Sequence, residues 1–320
     1  MVNSKYINDF TIMSVNYKDK KLLDLNYRLT KRLNSINLVW MVIDNAKDSD
    51  RLDDNRFQVI NGVPFVQKDE GSRSYHDGNA LNKGIQEVNT RFVLILHPDC
   101  FILQPDWINK TLSYMQENKL AFFGVPCHPR KYTSFRYFPY TACLFIDISK
   151  VNKDDLNFIP EIDEFRDLAK LKPIELFKQW IVSKDKGYIF SIFMSHVINK
   201  ILSHVLPVKA WVGMSGDTCE RVYRKFRKIS KYDYVTPVWK VNRKFITKLI
   251  PDFMNEIPHK DYISQTGFKE LGYYDVENEF NCETYIWQNK PFCFHIRSTN
   301  KDDRNELLKK VEIVLKEFEK

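Results

Sequence analysis

No stretch of the 320-residue chain reaches the roughly 20 uninterrupted apolar residues that a membrane-spanning helix needs. Met1 to Phe10 lacks the apolar core of a secretory signal, so none is expected there. The six cysteines, Cys100, Cys127, Cys143, Cys219, Cys282 and Cys293, form no Cys-x-x-Cys pair and no ligand-like spacing. That excludes a zinc or disulfide framework and leaves the expectation of reduced thiols in a cytoplasmic protein. Neither Gly-x-Gly-x-x-Gly nor a Walker sequence occurs, which excludes the ordinary dinucleotide and ATP loops. No internal repeat, low-complexity tract or linker divides the chain, so one continuous domain with two functional halves is expected. The basic residues are spread out and form no recognised nucleic-acid module, so no nucleic-acid partner is expected.

What is present is a globular composition: 43% hydrophobic residues and 14% aromatic ones. The net charge of +8, from 49 basic and 41 acidic residues, points to an anionic partner. Nucleotide phosphates and a lipid surface both satisfy that, and charge alone does not choose between them.

The first hundred residues alternate strand and helix patterns. Phe10 to Val15 reads as a strand, followed by a turn at Asn16 to Asp19. Leu22, Leu25, Leu29 and Leu33 recur at helical spacing, which predicts an amphipathic helix over Lys20 to Asn34. Leu38 to Ile43 is a second strand ending on Asp44-Asn45, and Phe57 to Ile60 a third. A polar loop from Gly71 to Gly78 leads into a helix over Asn79 to Val88. Then comes the apolar run Phe92 to Leu96, a central strand that Pro98 terminates because proline cannot donate to a sheet ladder. This order argues for a mixed, mostly parallel sheet with helices on both faces. Beyond it, Trp107 to Lys119 reads as a helix, and Phe122 to Pro126 and Thr141 to Ile146 as strands. Between those two strands Arg130 to Phe138 is a basic, aromatic loop, either a sugar or phosphate contact or a solvated hairpin. Asp154 to Lys186 is helical in pattern. Tyr188 to Val212, the most apolar segment, is either a core helix or an amphipathic helix resting on a membrane surface. Asn305 to Lys320 reads as a closing surface helix.

Several polar residues fall where strands end. Asp99 stands at the carboxyl end of the central strand, the edge of an open α/β sheet where ligands bind. It is either a hard oxygen ligand for Mg²⁺ or Mn²⁺ against a diphosphate, or the cap of a turn. Asp44 either accepts from a nucleoside or is an ordinary turn acid. His76 to Ile85 sets small residues at a helix head, where backbone N–H groups favour negative charge. His295 leaves the aromatic run Phe292 to Phe294 and is either a core histidine or a second metal ligand.

In order and spacing, Val15-Asn16-Tyr17, Ile43-Asp44-Asn45, Ala80 to Ile85 and Leu94 to Asp99 resemble a family 2 glycosyltransferase of the GT-A fold. The resemblance implies a nucleotide-sugar-binding half over residues 1–104, a helical acceptor-binding and catalytic half over 105–300, and a C-terminal helix over 301–320. It implies a sugar moved from a nucleotide-diphosphate donor to a hydroxyl of a glycan or lipid-linked acceptor. Work in the cytoplasm, with peripheral contact at the inner membrane face, goes with it, as does Mn²⁺ or Mg²⁺ as cofactor. His97-Pro98-Asp99 stands in the place of the metal-binding D-x-D triplet, with the first acid replaced. Asp99 and His295 are the implied metal ligands. Asn16, Asp44, Asn45, Asp77, Asn82, Lys83, His97 and Arg297 are the implied donor contacts. Gly216-Asp217 takes the place of the family's Glu-Asp pair, so Asp217 is the implied general base of an inverting reaction, or the N-cap of the next helix. The altered triplet and pair also fit a catalytically degenerate domain acting as a binding or scaffold subunit. A nucleotidyltransferase is less well matched, because Asn16 to Asp19 lacks the glycine-rich loop such enzymes carry.

Overall fold

A computed structural model describes residues 9–34, 38–47, 51–63, 73–127, 138–160, 175, 178, 218–239, 263–264, 282–296 and 304–318. Asp217, Arg297, the Tyr188 to Val212 segment and the loop from Arg130 to Tyr137 lie outside them.

Seven strands form the main sheet: β1 (Phe10–Asn16), β2 (Val39–Asp44), β3 (Gln58–Asn61), β4 (Phe92–Leu96), β6 (Phe122–Pro126), β7 (Pro139–Asp147) and β8 (Tyr232–Tyr234). Their spatial order is β3-β2-β1-β4-β7-β6-β8. Every neighbouring pair is parallel except the two that β7 makes, with β4 and with β6. β4 lies at the centre and all five of its residues are buried, as a strand covered on both faces must be.

Helices cover both faces, and β2 shows why. Trp40 meets Tyr27 of α1 (Lys20–Asn34) with ring centroids 6.0 Å apart. Ile43, three residues on and therefore on the opposite face, lies against Gly84 of α2 (Arg73–Glu87) together with Met13. A Cβ on Gly84 would come within 2.5 Å of both, so the helix sits this close only because position 84 has no side chain. α2 begins six residues before the expected start and absorbs most of the expected loop. Gly78 is tolerated inside it because the backbone of Phe158 occupies the space of its missing Cβ.

A second sheet was not anticipated. It joins β10 (Ile263–Ser264), β9 (Thr236–Trp239), β11 (Cys282–Trp287), β12 (Lys290–Ile296) and β5 (Cys100–Ile102), in that order. β11 and β12 form a hairpin whose two-residue turn, Gln288-Asn289, has positive φ at both positions (53° and 59°). That geometry matches the right-handed twist of the strands. Phe101 of β5 stacks on Phe294 of β12 at 5.2 Å. The closing helix α5 (Arg304–Phe318) adds Val311, Val314 and Leu315 to that cluster, where they join Leu22 and Leu29 of α1. Each such fully buried side chain contributes roughly 1.5–3 kcal/mol.

α3 (Trp107–Glu117) and α4 (Glu220–Phe226) complete the described helices of the second half. Of the helix expected over Asp154 to Lys186, the described start is a 3-10 turn at Lys153–Asp155 and then irregular chain to Pro160. The side chain of Asn82 accepts the Phe158 N–H at 2.7 Å and pins this stretch to α2. No helix among the described residues is long and apolar enough to cross a membrane. All six cysteines are buried free thiols.

At Gly124 of β6 the backbone has φ +149°, and a Cβ would lie 2.0 Å from the Cys143 carbonyl oxygen on β7. Gly124→Ala is therefore expected to lower stability by about 2 kcal/mol, read from the midpoint of urea unfolding.

Candidate functional site

The two sheets meet at His97-Pro98-Asp99. β4 ends at Leu96 in the main sheet and β5 starts at Cys100 in the second, so the tripeptide is the corner between them. Backbone bonds fix the corner: His97 N–H donates to the Ala142 carbonyl (3.0 Å), Cys100 N–H to the His97 carbonyl (3.0 Å) and Ile296 N–H to the Asp99 carbonyl (3.0 Å). From below, Asn26 of α1 donates its amide to the Cys100 carbonyl at 2.7 Å. Asn26 sits in the apolar stripe between Leu22 and Leu29, and a polar residue in such a stripe was the signal that it had a partner in the interior.

The register of β12 on β5 places His295 opposite Cys100, and so beside Asp99. His295 Nε2 lies 3.3 Å from Asp99 Oδ1. His97 joins them with its ring centroid 5.8 Å from that of His295. One ligand atom from each of His97, Asp99 and His295 falls within 4.8 Å of the others. Asp77 of α2 approaches from the helix side, its carboxylate 3.8 Å from His97 Nε2. Behind His295, Nδ1 donates to Glu283 Oε2 at 2.9 Å, and the Tyr140 hydroxyl of β7 lies 3.3 Å from the same nitrogen.

Burial would push the His295 imidazolium to lose its proton, but the Asp99 and Glu283 carboxylates outweigh it and hold its pKa well above the ordinary histidine value. Burial likewise works to raise the Asp99 pKa, and His295 and then His97 bring it below the ordinary carboxylate range. Two imidazoles and one carboxylate at this spacing are a donor set that suits a divalent transition ion, so the residues fit a metal.

The other expected donor contacts form a neighbouring rim. Asn16 and Asp44 are paired in register at the carboxyl ends of β1 and β2. The Asp44 carboxylate accepts from Asn16 Nδ2 (2.8 Å), Ala46 N–H (3.1 Å) and Leu52 N–H (2.6 Å). It thus holds the loop after β2. Asn45 donates to the His76 carbonyl at 3.2 Å and fills the space beside Gly62. Asn82 is committed to Asn157 and Phe158, and the Lys83 ammonium to the Asn61 carbonyl at 2.6 Å. The structure therefore brings His97, Asp99, His295 and Asp77 together, and gives Asn16, Asp44, Asn82 and Lys83 bonds within the protein.

α4 starts at Glu220 with Cys219 in the N-cap position, so Asp217 is not its cap. Thr218, the chain neighbour of Asp217, is buried with its hydroxyl 3.0 Å from that of Thr141. Thr141 comes directly after Tyr140, whose hydroxyl reaches His295. Glu283 and Tyr140 were missed in the sequence. The available signal was a lone carboxylate inside the apolar strand pattern Cys282 to Trp287.

An α/β domain with its polar cluster at the carboxyl edge of the central strand is the class that fold and site define. Residues 36–185, just under half of the chain, match the family described as Glycosyl transferase family 2. Solved structures with some similarity include the mannosyltransferase PcManGT from Pyrobaculum calidifontis in complex with GDP-Man and Mn²⁺ (11% identity, 48% of each chain, TM-score 0.36). Two others are S. aureus TarS 1-349 in complex with UDP-GlcNAc (11%, 61% of this chain and 73% of that one, 0.34) and the glycosyltransferase GlyE of Streptococcus pneumoniae (10%, 96% and 62%, 0.38). The chain thus spans about half the length of PcManGT. No curated protein matches its sequence.

Proposed function

We propose that the protein transfers a sugar from a nucleotide-diphosphate donor to a hydroxyl of a glycan or lipid-linked acceptor, with inversion, at a metal site made of His97, Asp99 and His295. The observation that carries this reading is the convergence of those three side chains at the carboxyl end of β4, inside a chain with a family 2 match. When bound, a divalent ion supplies charge to stabilise the departing diphosphate. Asp99 would hold such an ion as the anionic ligand, with the His97 and His295 imidazoles as its nitrogen ligands. Asp77, held against His97, orients that ring toward the donor side. Asp44, by fixing the loop from Ala46 to Leu52, shapes the rim on which the nucleoside rests, with Asn16 and Asn45 beside it. Arg297, two residues beyond His295, is the proposed cation for the diphosphate oxygens. Lys83 supports the rim through Asn61. Asp217 takes the proton of the attacking hydroxyl, a role worth typically ~10²–10⁴-fold. Attack from the face opposite the leaving diphosphate gives inversion.

Thermal-shift measurements against UDP, GDP, CDP and dTDP, each with and without Mn²⁺, test this reading. One nucleotide raising the melting temperature only when Mn²⁺ is present is the expected result, since a ligand that binds the folded state alone stabilises it. No shift with any of the four would favour the degenerate, scaffold-like domain instead.

A further inference from the structure

Glu283 stands on β11 directly opposite His295 on β12 in the antiparallel register, and its side chain is fully buried. A carboxylate on a buried strand is costly unless a specific partner compensates it. Here the His295 Nδ1–H is that partner, at 2.9 Å. The same ring turns Nε2 toward Asp99 at 3.3 Å. An imidazole has two nitrogens that can each hold a metal or a proton, and the one that carries a fixed N–H bond is removed from the choice. Nδ1 is fixed by Glu283, with the Tyr140 hydroxyl at 3.3 Å on the same side.

We propose that Glu283 is a positioning residue for the metal site: its hydrogen bond sets the ring orientation of His295 and reserves Nε2 for the ion. This role rests on the metal reading of the His97, Asp99 and His295 cluster. Glu283 touches neither the ion nor the substrate. Its action runs through His295, as a buried carboxylate that orients a metal-binding histidine does. The two-strand hairpin makes this rigid. The Gln288-Asn289 turn pairs Trp287 with Lys290 and Ile286 with Pro291, and a one-residue register shift between Tyr285 and Ile286 then brings residue 283 across from residue 295, so the pair is held by backbone pairing and does not depend on a loop.

The test is direct Mn²⁺ titration of the full-length protein, following the electron paramagnetic resonance signal of free Mn²⁺, for wild type, Glu283→Ala and Glu283→Gln. The glutamine carbonyl can still accept the Nδ1–H, so this variant separates orientation from charge. Glu283→Ala is expected to weaken Mn²⁺ binding about 10–100-fold, and Glu283→Gln to restore most of it. Circular dichroism and thermal melting without metal show whether each variant is folded. In wild type loaded with Zn²⁺, ¹⁵N NMR is expected to show the His295 proton on Nδ1. A folded Glu283→Ala that binds Mn²⁺ as wild type does, or a Zn²⁺-loaded ring protonated on Nε2, would overturn the role of Glu283 while leaving the metal site standing. Should the alanine variant fail to fold, the Zn²⁺ spectrum of wild type and the titration of Glu283→Gln decide the matter, with a glutamine variant as weak as a His295→Ala control also counting against orientation. Absence of Mn²⁺ binding in wild type would overturn the metal reading itself, and this role with it.

Discussion

Asp99→Asn is expected to lower sugar transfer by about 10³-fold or more while leaving the protein folded, because Asp99 is the anionic member of the cluster. The neutral amide keeps the size of the side chain and the backbone bonds that fix the corner, in which the Asp99 carbonyl accepts from Ile296 N–H. What disappears is the charge. His97 and His295 remain, but two neutral imidazoles bind a divalent ion without offsetting any of its charge. The developing charge on the diphosphate then has no fixed cation opposite it. The effect should appear in both kcat and Mn²⁺ affinity, and it should exceed that of Glu283→Ala, which removes only the orientation of one ligand. Initial rates at saturating donor over a range of Mn²⁺, with circular dichroism as the control for folding, check this. A folded Asp99→Asn protein within tenfold of wild type would place the chemistry elsewhere.

The strands and helices of the first half were legible because each carries its own periodic pattern. The run Phe92 to Leu96 is strand β4 with the boundaries its apolar residues gave, and the leucines from Leu22 to Leu33 mark α1 from Lys20 to Asn34. Asp99 was legible for the same reason: a strand that stops at Pro98 must present the next residue at the edge of its sheet. The second sheet was not legible. β5 is three residues long, and β11 and β12 meet through Gln288-Asn289, which lacks the glycine that usually announces so tight a turn. Only when β12 pairs with β5 does His295 come beside Asp99, almost two hundred positions away in the chain. A histidine in an aromatic run says nothing of that pairing. Glu283 was hidden for the same cause, since its meaning depends on a cross-strand neighbour. Conversely, Asp44 and Asn82 were read for their chemistry, while the structure commits both to protein donors and acceptors. A short polar residue at a strand end serves a loop as readily as a ligand, and local sequence does not separate the two.

Acid should unfold this protein partly through Asp147, and Asp147→Asn should remove that part of the response. Asp147 closes β7 with a fully buried side chain. It accepts from Arg91 Nε (3.1 Å) and Nη2 (3.0 Å), from the Ser149 hydroxyl (2.6 Å) and N–H (3.2 Å), and from Lys150 Nζ (2.9 Å). Burial alone would raise its pKa, but the bonds from Arg91, Ser149 and Lys150 outweigh burial and hold it below the ordinary carboxylate value. A carboxylate whose folded pKa lies below its unfolded one stabilises the fold fully above the unfolded value, about 3.9. That stability is then lost as pH falls below about 4 and through the folded pKa. At pH 7 the asparagine variant, which leaves Arg91 and Lys150 facing a neutral partner, is expected to be less stable by about 3 kcal/mol. As pH falls below about 4 the gap should narrow, because the unfolded wild-type chain then takes up a proton that the folded Asp147 carboxylate resists. Urea unfolding of both proteins at pH 7 and at pH 3 measures it; a gap of equal size at both would mean that shape and packing, not charge, are what Asp147 contributes. The site depends on this far end of the sheet. β7 pairs with β4 from Asp147 opposite Phe92 to Cys143 opposite Leu96, and one step further along the same ladder Ala142 holds His97. A loosened Asp147 clamp should therefore also weaken Mn²⁺ binding at the opposite end, under conditions where the variant is still folded.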